Sequence, residues 1–229
     1  MKTVLKKRSI WNVWNCAAVL CAFVLMIVAI PSAAAAYLEK PEWAIEKSCG
    51  EDNMGGKKIL VAYDTKYGST ATVAERIGDV LCEEGFQVDI KLARNVESSE
   101  LAGYDGVIVG SGIIMEVWYP EALMFIYNNE DVLATKSVAY FIVCITMRED
   151  TEERRERATA HYIEPLYNLF STIVPDAEPG LFGGALDYDK LYFFDWLAMM
   201  LFFGPDYNDD WRDFDKVAQW AVEVGETMD

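Results

Sequence analysis

The sequence predicts an α/β domain on a doubly wound parallel sheet of five strands, in the order 2-1-3-4-5, with an apolar insert before the last helix. Apolar runs of strand length alternate with helical patterns from Lys58 onward. "ILVAYD" (59–64), "GVIVGS" (106–111) and "SVAYFIVC" (137–144) are apolar on both faces, whereas "FQVDIKL" (86–92) alternates. A strand apolar on both faces is central and an alternating one lies nearer an edge. Strand two therefore flanks strand one, and the switch point falls between strands one and three, where such sheets bind ligands.

The chain begins with a basic head, Lys2, Lys6, Lys7 and Arg8, then an apolar stretch from Cys16 to Ile30. Pro31 and "SAAAAY" follow, with Ala34-x-Ala36 as a cleavage site. Residues 1–38 read either as a secretory signal peptide or as an N-terminal membrane anchor, because the apolar run through Leu38 is long enough to span. Both readings export the rest of the chain, since the basic flank stays inside. Residues 39–57 are polar, carry Pro41, Gly50, Gly55 and Gly56, and read as a linker to a domain over 58–229.

Within that domain, Val73, Ile77, Val80 and Leu81 fall at helical spacing over 70–84, and Gly85 closes the helix. Pro120 opens a helix through about Asp131. Thr151 caps a helix over 151–170, with Glu152 and Glu153 in its first turn. "LFGGAL" (181–186) is the last strand, and Phe214, Val217, Ala218, Ala221 and Val222 stripe the last helix. Between these lies "LYFFDWLAMMLFF" (191–203), too short to cross a bilayer and apolar on more than one face.

Composition removes several function classes. The 229 residues include 37 acidic against 20 basic, a net charge of -17, so binding to nucleic acid is disfavoured. The five cysteines form no CxxC pair and His161 is the single histidine, which excludes zinc sites of that kind and a Ser-His-Asp triad. Cys144 reads as a small core residue; an exported chain allows Cys49 a disulfide, though its spacing does not point to one. The mixed run "REDTEERRER" (148–157) reads as a solvated helix face. No Walker lysine follows Gly55, and Met115 stands where a dinucleotide fingerprint would place its last glycine.

The turn "TKYGST" (65–70) joins the first strand to a helix. A helix start presents free N–H groups and a positive dipole end, which hold an anion. Thr65, Ser69 and Thr70 add hydroxyls, and Gly68 permits close approach. The same residues suit an ordinary capped turn, so the chemistry alone leaves both readings open.

This turn resembles the FMN-phosphate loop of flavodoxins. "YDGVIVGSGIIMEVWYPEAL" (104–123) is similar to the second flavin loop of one branch of the flavodoxin-domain family, which includes menaquinone-dependent protoporphyrinogen IX dehydrogenase. "LFGGALDYDKL" (181–191) and "DDWRDFDKVAQWA" (209–221) resemble that branch's C-terminal signatures, so the resemblance spans about residues 57–226. It implies non-covalent FMN. Thr65, Lys66, Tyr67, Gly68, Ser69 and Thr70 would hold its phosphate. Ser111, Gly112, Ile113, Ile114 and Met115 would line one side of the ring, and Thr146 and Met147 the other. Trp118 and Tyr119 would stack on the ring or pack beneath it. The resemblance further implies an FMN-dependent oxidoreductase, with a quinone or a redox protein as partner and membrane contact through 191–203. The alternative is an exported flavodoxin-type electron carrier. Ala185 departs from the branch, which often carries arginine there.

Overall fold

The computed structural model describes residues 43–53, 55–204 and 208–228, without the side chains of Phe194, Phe202 and Phe203. The signal or anchor over 1–38 lies outside the described residues. The sheet begins with β1 (Lys47–Cys49), β2 (Lys58–Asp64), β3 (Gln87–Leu92) and β4 (Gly106–Ile114). A short β5 (Val117–Trp118), β6 (Ser137–Cys144) and β7 (Gly180–Gly183) complete it. Its order is β1-β3-β2-β4-β6-β7. The five parallel strands stand in the predicted 2-1-3-4-5 order, and β1 adds an antiparallel edge outside β3.

Alternation along each strand sorts its residues into two cores. Ile59, Val61 and Tyr63 meet helix α1 (Ser69–Glu83) on one face, and Leu60 and Ala62 belong to the other core. On β3, Val88, Ile90 and Leu92 all turn towards α1, the alternation read from the sequence. The second face is covered by α2 (Pro120–Asn128) and α4 (Glu152–Ala158). The helix expected through Asp131 breaks at Asn129, leaving a short α3 (Glu130–Leu133). After α4 the chain forms one π-helical turn, Thr159–Ile163, before α5 (Glu164–Leu169).

The last predicted strand is divided. After β7, Gly184 separates off β8 (Ala185–Leu186), which pairs with β9 (Asp209–Asp210). Between β8 and β9 runs α6 (Phe193–Phe203), the apolar insert. Helix α7 (Phe214–Met228) returns beside α1, burying Val217, Ala221 and Val224.

The segment read as a linker is attached to the domain. β1 pairs with β3, and Cys49 is disulfide-bonded to Cys82 on α1. Tyr63 Oη accepts from the Ile45 amide and donates to the Ile45 carbonyl, both at 2.7 Å. The sequence concealed this attachment because a three-residue strand has no readable periodicity and a disulfide needs spatial, not sequential, proximity. Cys144 is buried, as expected.

Candidate functional site

β2 ends at the switch point, and its exit loop carries the site. Gly68 stands at the N-cap of α1 with φ 88°, a left-handed conformation that glycine adopts without strain. A Cβ there would lie 2.6 Å from Trp43 Cβ, so close packing requires glycine as well. No side chain caps α1, and its first turn holds no acidic residue. The Gly68 amide donates to Thr65 Oγ1 at 3.0 Å. The Lys66, Tyr67, Ser69 and Thr70 amides have no partner among the described residues. An uncapped helix start with free amides has the chemistry to hold an anion.

Two cavities meet at this loop. One, of about 340 Å³, is bounded by Trp43, Gly68, Ser69, Thr72, Ala185 and Arg212. Arg212 donates to Thr72 Oγ1 at 2.7 Å and pairs with Asp210, holding that carboxyl below its usual range. Asp210 is paired across the strands with Ala185. A cation thus lines the same cavity as Ala185, supplied from just beyond the neighbouring strand.

The second cavity, of about 130 Å³, shares Tyr67, Ser69, Ala185, Leu186 and Leu191 with the first. Gly112, Ile113, Ile114 and Met115 line one wall, and Val143, Cys144 and Ile145 another. Ala198 and Met199 of α6 close it. Asp195 ties that helix to the loop, accepting from Lys66 Nζ at 2.6 Å and from Tyr67 Oη. Burial first, then the Asp195 carboxylate, pushes the Tyr67 pKa far up, so the phenol remains a donor.

The wall at 113–118 is a two-residue hairpin, with Ile114 paired to Val117. Met115 and Glu116 at its tip have φ 49° and 67°. Positive φ at both positions is the geometry of a type I′ turn, normally filled by Asn and Gly. Tyr162 Oη donates to Glu116 at 2.9 Å and lies 3.0 Å from Thr146 Oγ1, linking the hairpin to the loop after β6.

Behind the cradle, Asp64 is fully buried. Its Oδ1 accepts from the Thr65 amide at 2.8 Å and from Arg94 at 2.9 Å, and its Oδ2 has no hydrogen-bond partner among the described residues. Burial pushes the Asp64 pKa up to about 7, with Glu121 adding to the rise and Arg94 opposing it.

The sequence-predicted residues separate by role. Thr65 to Thr70 and Gly112 to Met115 border the cavities. Ser111 is buried, and its Oγ accepts from the Tyr119 amide at 2.9 Å, supporting the hairpin from beneath. Thr146 lines an adjoining outer cavity. Met147 belongs to the hydrophobic core, because the 3-10 turn after β6 directs it inward and leaves Ile145 on the wall. Trp118 is also core, donating from Nε1 to the Tyr162 carbonyl, while Tyr119 borders the cleft. Sequence reasoning missed Trp43, Asp195, Met199 and Arg212. Only Arg212 left a signal, as a cation within the C-terminal signature.

A family profile described as a flavodoxin domain matches residues 60–211. Comparison with curated protein sequences finds no match. Oxidised Flavodoxin 2 from Bacillus cereus is similar at 23% identity with a TM-score of 0.49, over 74% of this chain and 98% of that one. A flavodoxin from the domain Archaea is similar at 15% identity with a TM-score of 0.48, over 75% and 98%. The Flv1 flavodiiron core from Synechocystis sp. PCC6803 is similar at 14% identity with a TM-score of 0.49, over 76% and 35%.

Proposed function

We propose, from the premise that this chain belongs to the flavodoxin-domain family, that it is an exported FMN-dependent oxidoreductase that passes electrons to a quinone. FMN is the cofactor the family match carries, and electron transfer is its general chemistry. Electron uptake and return is what FMN supplies when bound, and the protein binds, orients and tunes it. The observation that carries the site is the uncapped start of α1, with free amides and no acidic residue in its first turn.

The residues present fit this group. The backbone amides of Lys66, Tyr67, Ser69 and Thr70 and the Ser69 and Thr70 hydroxyls would hold the phosphate, with Arg212 close by. Gly112 admits close approach, since a Cβ there would lie 2.8 Å from Tyr119 and 3.0 Å from Thr70 Oγ1. The apolar walls at 113–115 and 143–145 would enclose the ring and exclude water. An apolar helix, α6, over that space supports an apolar acceptor such as a quinone. The Cys49–Cys82 disulfide supports an exported location, because such bonds persist in oxidising compartments. The second reading, an electron carrier for a redox protein, is favoured by the acidic surface, net charge -17.

The test compares two flavins. Each hydrogen bond to a charged group contributes roughly 1.5–3 kcal/mol. Thr70→Ala should therefore weaken FMN binding by about a decade or more, at roughly 1.4 kcal/mol per decade. Riboflavin, lacking the phosphate, should lose much less. Equal losses for both flavins, or none, would reduce the loop to a helix start without a phosphate. Oxidation of the reduced flavoprotein by a quinone, against oxidation by a redox protein, separates the two readings.

A further inference from the structure

Beyond the ring-side walls lies a separate outer cavity of about 540 Å³. It shares Ile113, Ile114, Met115, Cys144, Ile145 and Met199 with the cleft, so the two spaces adjoin along the hairpin. Its far wall is the segment the sequence presents as a solvated charged face. Arg148, Arg154 and Arg157 all line it, together with Glu116 and Glu153. In a chain of net charge -17, three arginines against two glutamates leave this cavity's lining with a positive balance.

Their roles differ. Arg154 is engaged, donating to the Thr146 carbonyl at 3.1 Å and to Glu149 at 3.0 Å. Glu116 is likewise occupied by the Tyr162 hydroxyl. Neither Arg148 nor Arg157 has an ion pair among the described residues. The neighbouring Arg155 and Lys216, in contrast, both pair with Asp150. The local backbone is specialised too. The π-helical turn directly after α4 carries Tyr162, whose hydroxyl reaches both the hairpin and Thr146. Such turns re-aim side chains and occur frequently at functional sites.

We infer that this outer cavity is the docking site for a second reaction partner of the flavin, distinct from the quinone: an organic anion with an apolar body whose carboxylate or sulfonate is held by Arg148 and Arg157. The apolar part lies against Ile113, Ile114 and Met199, pointing towards the ring-side cleft. The acid group faces the two free guanidiniums, each able to make charge-assisted bonds. Glu153 opposes it and limits the charge the site accepts. The partner role rests on the flavin reading given above, whereas the anion site stands on the arginines alone.

The experiment is a calorimetric titration of FMN-loaded protein with naphthalene-2-sulfonate and, separately, with its neutral analogue naphthalene-2-methanol. The sulfonate should bind saturably, one per chain, and weaken with added salt. Arg148→Gln with Arg157→Gln should weaken the sulfonate tenfold or more and leave the neutral compound within twofold. Glu153→Gln should tighten the sulfonate. Both arginines are exposed, so the fold should survive, and an unchanged FMN spectrum verifies it. Absence of saturable sulfonate binding to FMN-loaded protein overturns the site and leaves the flavin reading intact. An equal loss for both compounds overturns it as well. Protein that binds no flavin but binds the sulfonate through these arginines keeps the anion site and removes the flavin reading.

Discussion

The loop side of the cleft, proposed for the phosphate, and the hairpin side, proposed for the ring, are built on opposite principles. The phosphate side is constrained through the backbone. Gly68 is wedged against Trp43, Tyr63 grips Ile45 by both backbone polar groups, and the Cys49–Cys82 bond anchors the overlying segment to α1. The ring side is constrained through side chains. Its hairpin tip holds two non-glycine residues at positive φ, Met115 is 88% exposed, and α6 is tied to the loop through one carboxylate, Asp195. On the proposed reading, a rigid cradle would secure a ligand part that never changes, the phosphate. Adjustable walls serve the part that reacts and must admit a partner.

The comparison can be broken most directly at the disulfide. It closes a loop of sequence separation 33, which corresponds to about 3–4 kcal/mol of stability on the chain-entropy account. Reduction, or the Cys49→Ser/Cys82→Ser pair, should lower the urea midpoint accordingly and weaken FMN more than riboflavin. If FMN affinity is untouched, the overlying segment does not brace the cradle.

Gly68→Val comes next. Positive φ strains a β-branched residue by about 1–3 kcal/mol, and the new Cβ meets Trp43. FMN affinity should fall by about two decades, and stability should drop with it because Trp43 must move. A flavin titration paired with a melting curve checks both.

Asp64 sharpens the comparison through pH. Its folded pKa, about 7, lies above the ordinary 3.8. Between these values the folded state keeps a proton that the unfolded chain has released. Stability from this group is therefore greatest below about pH 4 and is lost as pH rises towards 7, by up to about 1.4 kcal/mol per pH unit. Asp89, Asp150 and Asp210 are shifted the other way, so their contributions vanish below that window. Asp64→Asn should flatten the slope between pH 4 and 7 in denaturant titrations. A slope unchanged by the substitution would show that another group carries it.

The smallest effect is expected at Met115→Gly. Relief of the left-handed strain, about 1–2 kcal/mol, is offset by the backbone freedom glycine loses on folding, about 0.5–1 kcal/mol. Stability should change by less than about 1 kcal/mol, while the visible flavin spectrum shifts. A large stability loss would mean that the hairpin is as rigidly determined as the cradle.

What the sequence made legible follows the same division. Long apolar runs disclose β2, β4 and β6, and alternation places β3, because burial on one or two faces writes itself into local composition. The loop at 65–70 is legible as a candidate because hydroxyls and glycine in a short turn suit phosphate chemistry, though they suit a capped turn equally. Trp43 and Asp195 reach the site through contacts distant in sequence, and no local pattern marks their role there; Arg212 does so too, marked only as a cation within the C-terminal signature. The break of "LFGGAL" at Gly184 was hidden for a related reason: β8 exists through its partner β9, far along the chain.

The short β1 has a consequence of another kind. In a sheet of this order β3 would be an outermost strand, with its outward amides and carbonyls open to any extended chain. Such an edge is a template for intermolecular pairing. Lys47, Ser48 and Cys49 occupy it in antiparallel register against Ile90, Asp89 and Val88. The chain thereby supplies its own edge partner, and keeping molecules apart at high concentration becomes a property of three residues that lie outside the matched domain.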